Sequence, residues 1–315
     1  MSDIVISEFM DEAVVASAFA GWDVLYDPTL VDQPDALRAA LHDCRALVVR
    51  NRTQVRGDLL AAAPRLQMVG RLGVGLDNID VEACRARHVA VRPASGANDL
   101  AVAEYVITAA LMLLRRSWFA TDRVIAGQWP RMDLIGRELA GKTMALVGFG
   151  AIARLTAQKA RGLGMQTIAF DPHLPADALA DGAPVWGQTR KVEMAELLAA
   201  GDVISLHVPL SPQTRHMIDA SALRAMRPTA ILINAARGGV VDEAALIGAL
   251  QSGQLAGAAL DVFEAEPVKQ PDGAKFRDVP NLILTPHIAG VTDESNSRVS
   301  EVIAAAVIEE LRGHG

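Results

Sequence analysis

Short runs of β-branched and aliphatic residues alternate with amphipathic stretches along the first hundred positions. Ile4 to Ile6, Val24 to Tyr26, Ala46 to Val49, Gln67 to Gly70 and Val89 to Val91 read as strands. Between them, apolar residues at helical spacing predict helices over Phe9 to Phe19, Asp35 to His42 and Val81 to Arg87. Strand and helix taking turns is the pattern of a parallel sheet. The rhythm breaks at Arg92 to Asp99 (RPASGAND), ahead of a long helical stretch from Leu100 to about Arg116, so a domain boundary is expected near Asn98.

Alternation then resumes. Strands are predicted at Thr143 to Val147, Gln166 to Phe170, Val203 to His207, Ala230 to Asn234, Ala258 to Leu260 and Leu282 to Leu284, and helices at Ala151 to Gly162, Met194 to Ala200 and Glu243 to Ser252. This is a second doubly wound α/β unit. The last segment, Asp293 to Leu311, places Val299, Val302, Ile303, Val307, Ile308 and Leu311 at helical spacing and is expected to pack back on the first unit. The domains are therefore 1–98 plus 291–315, and 99–290.

Composition narrows the function classes. The 315 residues are 51% hydrophobic and 21% charged, enough aliphatic material for two cores and too little excess charge for disorder. A formal charge of -7 argues against a nucleic-acid partner, which needs a net basic face to displace counterions. Cys44 and Cys84 form no CxxC pair, and the seven histidines show no HExxH-like spacing, so neither a disulfide framework nor a metal site is expected. Acidic residues at Asp3, Glu8, Asp11 and Glu12 occupy the place of a basic signal-peptide start, and the apolar run Tyr105 to Leu114 is too short for a membrane span. A cytoplasmic protein is the expectation.

The strand Thr143 to Val147 runs directly into Gly148-Phe149-Gly150-Ala151-Ile152-Ala153, a GxGxxA turn opening a helix. Gly148 permits the tight turn, Gly150 lets backbone approach a pyrophosphate, and small Ala153 lets helix and strand pack closely, while the helix N-terminus offers unpaired N–H groups. Such turns are often only turns. Asp171, at the end of the next strand, stands near the offset at which an acid accepts from the adenosine ribose, and its charge would repel a 2'-phosphate. NAD is favoured over NADP. A methyltransferase could use the same turn for adenosylmethionine, and Asp171 before Pro172 is also an ordinary turn residue.

Three later segments each put a polar residue just after an apolar strand, where ligands sit in open α/β sheets. They are Arg237, Glu266 and His287. Singly each has a bland reading: Arg237 as a cap or a partner of Asp242, Glu266 as a surface carboxylate, His287 as an interior histidine. Together they supply an anion clamp, an acid/base and a carboxylate to orient it, the set a ketone reduction needs.

The whole chain resembles the NAD-dependent D-isomer-specific 2-hydroxyacid dehydrogenases, the family that includes phosphoglycerate, glycerate and D-lactate dehydrogenases. The resemblance is carried in order by GRLGVGLDN (70–78), VAE (102–104), ELAGKT (138–143), the GxGxxA turn, Asp171-Pro172, HVPL (207–210), NAARGGVVD (234–242), ALDVFEAEP (259–267) and PNLILTPHIAG (280–290). It implies a Rossmann cofactor domain inserted in a flavodoxin-like substrate domain. It further implies Arg237 holding the substrate carboxylate and carbonyl, His287 as proton donor and Glu266 as its carboxylate partner. For the cofactor it implies the Ala151 and Ile152 amides at the pyrophosphate, and His207, Val208 and Pro209 as a wall on the adenosine side. Asp261 is implied at the nicotinamide carboxamide, with Ala235, Ala236 and Gly290 lining the same site. Ala153 at the third glycine position is tolerated. Leu72 and Val74 differ from the phosphoglycerate branch and bear on the substrate. No regulatory domain is expected beyond Gly315.

The substrate is then expected to be a small 2-oxo or 2-hydroxy acid in an interdomain cleft, held by Arg237 and by backbone amides of Gly73, Val74 and Gly75. Arg50, Asn51, Arg52 and Arg71 follow strands of the first domain and suggest a second anion on that acid, a phosphate or sulfonate. Arg50 and Arg52 as solvated loop residues is the competing reading, and a non-catalytic NADH sensor of the same fold is the competing function. Relatives pair through the region of Trp118 to Arg137, which implies a homodimer.

Overall fold

In the computed structural model, which describes residues 2–117, 120–174 and 188–313, the chain forms two compact units, Met1–Asn98 with Val291–Gly315, and Asp99–Gly290. The first unit runs β1 (Ile4–Ile6), α1 (Glu12–Ala18), β2 (Val24–Tyr26), α2 (Pro34–Ala40), β3 (Ala46–Val49), α3 (Gly57–Ala61), β4 (Met68–Arg71), α4 (Val81–Ala86) and β5 (Ala90–Pro93). Its five parallel strands lie in the order β2-β1-β3-β4-β5, the flavodoxin-like order. β1 and β3 are buried along their whole length, as strands covered on both faces must be, which is why they read as unbroken apolar runs.

The second unit contains α5 (Asp99–Arg115), α6 (Thr121–Ile125), β6 (Thr143–Val147), α7 (Ala151–Gly162), β7 (Gln166–Phe170), β8 (Thr189–Lys191), α8 (Met194–Ala200), β9 (Val203–Leu206), α9 (Ala220–Ala225), β10 (Ile231–Asn234), α10 (Glu243–Gln251), β11 (Gly257–Leu260) and β12 (Leu282–Leu284). Its seven-stranded sheet has the order β12-β11-β10-β9-β6-β7-β8, all parallel. Chain order reverses between β6 and β9, so the switch point that places a ligand in a doubly wound sheet falls beside the glycine turn after β6.

The last helix, α11 (Asp293–Gly313), belongs to the first unit and sends Val299, Ile303, Val307 and Leu311 into its core. Gly70 of β4 makes this close approach possible, because a Cβ there would stand 2.7 Å from Ile303 Cγ2. Polar contacts add direction: Asp11 caps α1, accepts a hydrogen bond from Ser297 Oγ at 2.6 Å, and donates its own N–H to Ser300 Oγ at 3.1 Å.

Most predicted elements recur with ends moved by one to three residues. The strand expected at Gln67 to Gly70 is displaced to Met68–Arg71, and that at Val89 to Val91 to Ala90–Pro93. The structure adds α3, α6, α9 and β8. These are three to six residues long, too short to build a periodicity, and β8 (TRK) has no apolar residue.

Candidate active site

The glycine turn is built by close approach. Gly148 has φ +86, and a Cβ on it would lie 2.7 Å from the His207 carbonyl oxygen and 3.0 Å from Val208 Cγ1. Gly150 is the N-cap of the 12-residue α7 and makes no side-chain cap, and a Cβ there would meet nothing within 4 Å. The first amides of α7 are thus presented over open space, a cradle that fits a pyrophosphate. Ala153 is fully buried, leaving no volume for a larger residue between α7 and the sheet.

Asp171 follows β7 directly. Its Oδ2 accepts the Phe149 N–H at 3.0 Å and its Oδ1 the His173 N–H at 2.9 Å, which orients the carboxylate beside the turn with lone pairs remaining for ribose hydroxyls. His207 is turned to Ser205, with Nε2 to Oγ at 3.0 Å, and burial pushes the imidazole down to about 4, so the ring is neutral near pH 7. What it offers the turn is its carbonyl. Val208 is half-buried and Pro209 exposed beside it.

The acid/base residues stand on three neighbouring strand ends. After β10, the Asn234 amide accepts from the Ala236 N–H at 3.1 Å and donates to the Arg237 carbonyl at 3.0 Å, closing the Ala235-Ala236-Arg237 turn. Arg237 Nη1 donates to the Ala236 carbonyl at 2.6 Å. Asp242 is occupied as the cap of α10, accepting from the Ala245 N–H. Gly238 has its Cβ position 1.6 Å from the Phe263 carbonyl, so the Arg237 loop and the Glu266 loop pack backbone against backbone.

Glu266 Oε2 lies 2.7 Å from His287 Nδ1, and Glu266 Oε1 accepts the Phe263 N–H at 2.9 Å. Burial pushes this carboxyl up, but the hydrogen bonds from His287 and Phe263 and the charges of His287 and Arg237 outweigh it, leaving the group below its ordinary range. An ionised Glu266 accepts only, so Nδ1 carries the proton and Nε2 is the nitrogen left to exchange one. The histidine side chain remains 35% exposed, open to a substrate. Its backbone has φ +58, unusual for a non-glycine residue, and is held there by hydrogen bonds from its N–H to the carbonyls of Asp261 at 2.8 Å and Thr285 at 3.0 Å.

Asp261 is buried after β11 and accepts from the Ile288 N–H (2.8 Å, Oδ1) and the Ala289 N–H (2.7 Å, Oδ2), on the turn that carries His287 and leads to Gly290. A third donor, Thr285 Oγ1 at 2.6 Å to Oδ1, completes the carboxylate's surroundings, and the residue is only 1% exposed. Glu243 on α10 was not singled out by sequence. Its Oε1 accepts the Glu264 N–H at 2.7 Å, its own N–H donates to Glu264 Oε1 at 3.2 Å, and its Oε2 pairs with Lys275 at 2.5 Å, so it braces the loop before Glu266.

In the first unit Arg50 is half-buried, not a solvated loop residue. Its Nη2 donates to Asn296 Oδ1 at 2.7 Å and its guanidinium lies 5.5 Å from the Phe9 ring centroid. The loop is held by buried Glu8, which accepts from the N–H groups of Arg50, Arg52 and Thr53, an arrangement with no local sequence signal. Arg52 points to Asp32 and forms an ion pair with it, so the surface reading holds for that residue, and Asn51 is exposed. Arg71 folds over Gly73, whose φ of +146 is a backbone conformation that residues with a side chain rarely adopt. Arg71 Nη1 donates to the Leu72 carbonyl at 2.9 Å, Val74 is exposed and Gly75 half-buried. Among the described residues no helix is long and apolar enough to cross a membrane and no side-chain group is arranged to hold a metal ion.

Comparison with known proteins gives concordant matches. Residues 107–289 match the family described as D-isomer specific 2-hydroxyacid dehydrogenase, NAD binding domain. The chain is 53% identical over 301 residues to an (S)-sulfolactate dehydrogenase of Chromohalobacter salexigens, covering 95% of each chain. It is 38% identical to a D-3-phosphoglycerate dehydrogenase of Pongo abelii over 89% of this chain but spans only 51% of that relative. Among solved structures, D-lactate dehydrogenase of Aquifex aeolicus complexed with NAD and lactic acid matches with a TM-score of 0.84 at 27% identity, over 98% of this chain and 96% of that one.

Proposed function

Because the chain belongs to the D-isomer specific 2-hydroxyacid dehydrogenase family and is an NAD-linked oxidoreductase of 2-hydroxy acids, we propose that its own substrate is one bearing a second strong anion, of the sulfolactate and sulfopyruvate type. The 53% identity to a sulfolactate dehydrogenase carries this reading. The two half-buried guanidinium groups of the first unit, Arg50 and Arg71, support it, since arginine forks suit a sulfonate or phosphate. An (S) label is compatible with D-specific chemistry. The sulfomethyl group outranks the carboxyl in priority and reverses the descriptor without moving an atom.

In this reading Arg237 pairs with the substrate carboxylate; of the amides expected at Gly73, Val74 and Gly75, that of buried Gly73 is already given to the Arg71 carbonyl at 2.7 Å. When bound, NADH supplies the hydride that reduces the 2-oxo carbonyl carbon. His287 donates its Nε2 proton to the oxygen as alkoxide charge develops, and takes a proton back in the oxidative direction. Glu266 keeps Nδ1 protonated and stabilises the imidazolium. The Arg237, Glu266 and His287 set leaves the sensor alternative without an observation in its favour.

The test follows NADH oxidation with sulfopyruvate, phosphohydroxypyruvate, pyruvate and glyoxylate. Sulfopyruvate is expected to give the highest kcat/KM. Arg71→Ala should raise KM for the dianions by about 10- to 100-fold, the worth of one hydrogen bond to a charged group, while leaving pyruvate nearly unchanged. Equal effects on mono- and dianionic acids would remove Arg71 from this role.

We further assign a homodimer and a cytoplasmic setting. Ile125, Trp129, Met132 and Ile135 stand 63–80% exposed within one short segment, more apolar surface than a lone chain tolerates comfortably. Trp118 and Phe119, the other aromatics of that region, lie outside the described residues. Sedimentation should find a dimer that Ile125→Glu with Trp129→Glu converts to monomer, and a monomeric parent protein at micromolar concentration would rule it out. Cys44 and Cys84 are buried free thiols, with Cys44 pushed up to about 12 by burial, which suits a reducing compartment.

A further inference from the structure

A chain of hydroxyls links helix α5 to the turn that holds His287. Tyr105, on the second turn of α5, places its Oη 2.6 Å from Thr285 Oγ1. Thr285 Oγ1 in turn donates to Asp261 Oδ1 at 2.6 Å. Because the threonine proton is committed to the carboxylate, its oxygen is left to accept, and the direction of the chain is fixed: Tyr105 donates to Thr285, and Thr285 to Asp261. Asp261 spends its remaining bonds on the Ile288 and Ala289 N–H groups, and its carbonyl takes the His287 N–H. The carboxylate at the end of the chain therefore clasps both sides of a strained turn, with the reacting histidine at its apex.

The arrangement is costly unless it is completed. Asp261 is buried, and desolvation pushes its carboxyl up, an effect that the Thr285 hydrogen bond opposes together with those from Ala289 and Ile288. Polarised hydroxyls in series donate more strongly than one alone, so Tyr105 strengthens the Thr285 contact without touching Asp261. Tyr105 is itself half-buried, and burial pushes its phenol up to about 12, which keeps it a donor near neutral pH. Both side chains act at one remove from the imidazole; Thr285 touches His287 only through its backbone carbonyl, which accepts the His287 N–H at 3.0 Å whatever its side chain.

We propose that Tyr105 and Thr285 are positioning residues that hold His287 in its proton-transfer geometry through Asp261. The proposal rests on the reading of His287 as the proton carrier. A displacement of about 1 Å in a reacting group costs on the order of 100-fold in rate, so a relaxed turn should appear in kcat and not in substrate affinity.

The experiment measures steady-state 2-oxo acid reduction by NADH for Thr285→Val, Thr285→Ser, Tyr105→Phe and the Thr285→Val/Tyr105→Phe double variant, beside His287→Asn. Thr285→Val keeps the shape and removes both hydrogen bonds; kcat should fall about 10- to 100-fold with KM for the oxo acid within a few-fold. Thr285→Ser restores the hydroxyl and should return kcat close to that of the parent. Tyr105→Phe should lower kcat severalfold alone and add nothing to Thr285→Val, because it acts through that hydroxyl. A Thr285→Val enzyme with parental kcat, a Thr285→Ser enzyme as slow as Thr285→Val, or additive effects in the double variant would each overturn the proposal. Residual activity of His287→Asn separates the two failures. An active His287→Asn enzyme sinks the proton-carrier reading, whereas an inactive one beside an unimpaired Thr285→Val sinks the positioning role alone.

Discussion

His287→Asn is expected to lower kcat for 2-oxo acid reduction by about 100- to 10,000-fold, the range of a general acid-base contribution, while NADH affinity stays within a few-fold. The reason lies in what the imidazole does at each nitrogen. Nδ1 faces Glu266 Oε2 at 2.7 Å, and that carboxyl is held below its ordinary range, so it remains an anion throughout the pH range in which imidazoles titrate. The anion keeps the ring in one tautomer and compensates its positive charge, and Nε2 alone is left to give or take the proton. Asparagine is smaller but keeps an amide donor for Glu266 and tolerates positive φ, so the turn at φ +58 should persist. Loss of rate with tight NADH binding, measured by fluorescence titration against single-turnover rates, separates chemistry from binding. Retained turnover with cofactor bound would remove His287 from the reaction.

The parts that were legible in sequence share one property: they are contiguous. The strand, the glycine turn and the helix start of 143–162 occupy one uninterrupted stretch, and the need for a positive φ at Gly148 and open space at Gly150 is imposed by local backbone. Buried parallel strands announce themselves as apolar runs, and both sheets could be read for that reason. The polar strand β8 could not. Residues that act across the fold left no local signal. Glu8 looks like any charge near an N-terminus, yet it gathers three N–H groups of the loop at 50–53. Arg50 and Arg52 are one residue apart from a shared neighbour and read alike, but the first is half-buried against Phe9 and Asn296 while the second pairs outward with Asp32. Tyr105 and Thr285 are separated by 180 positions and meet only because α5 lies across the sheet from which β12 emerges. A threonine before Pro286 is at most a hint of a structured turn.

Arg237→Gln should reduce kcat/KM for the 2-oxo acid by about 100- to 10,000-fold. Two hydrogen bonds from a guanidinium to a carboxylate, at about 1.5–3 kcal/mol each, account for that range at about 1.4 kcal/mol per tenfold. Glutamine retains one amide donor group but neither the charge nor the fork. Arg237→Lys should recover only part of the loss, since an ammonium supplies the charge without the planar bidentate geometry. The loop gives the side chain little freedom: Asn234 closes its backbone, Nη1 is anchored on the Ala236 carbonyl, and Gly238 seats it against Phe263. A second consequence follows from its charge. Arg237 is one of the influences that hold Glu266 below its ordinary range, so removing it lets that carboxyl titrate at higher pH. Protonated Glu266 no longer supports the His287 imidazolium, and the acid limb of the kcat/KM profile should therefore move to higher pH in Arg237→Gln. An unshifted profile with a loss confined to KM would reduce Arg237 to a simple anchor for the substrate, and a loss below tenfold would remove it from the site.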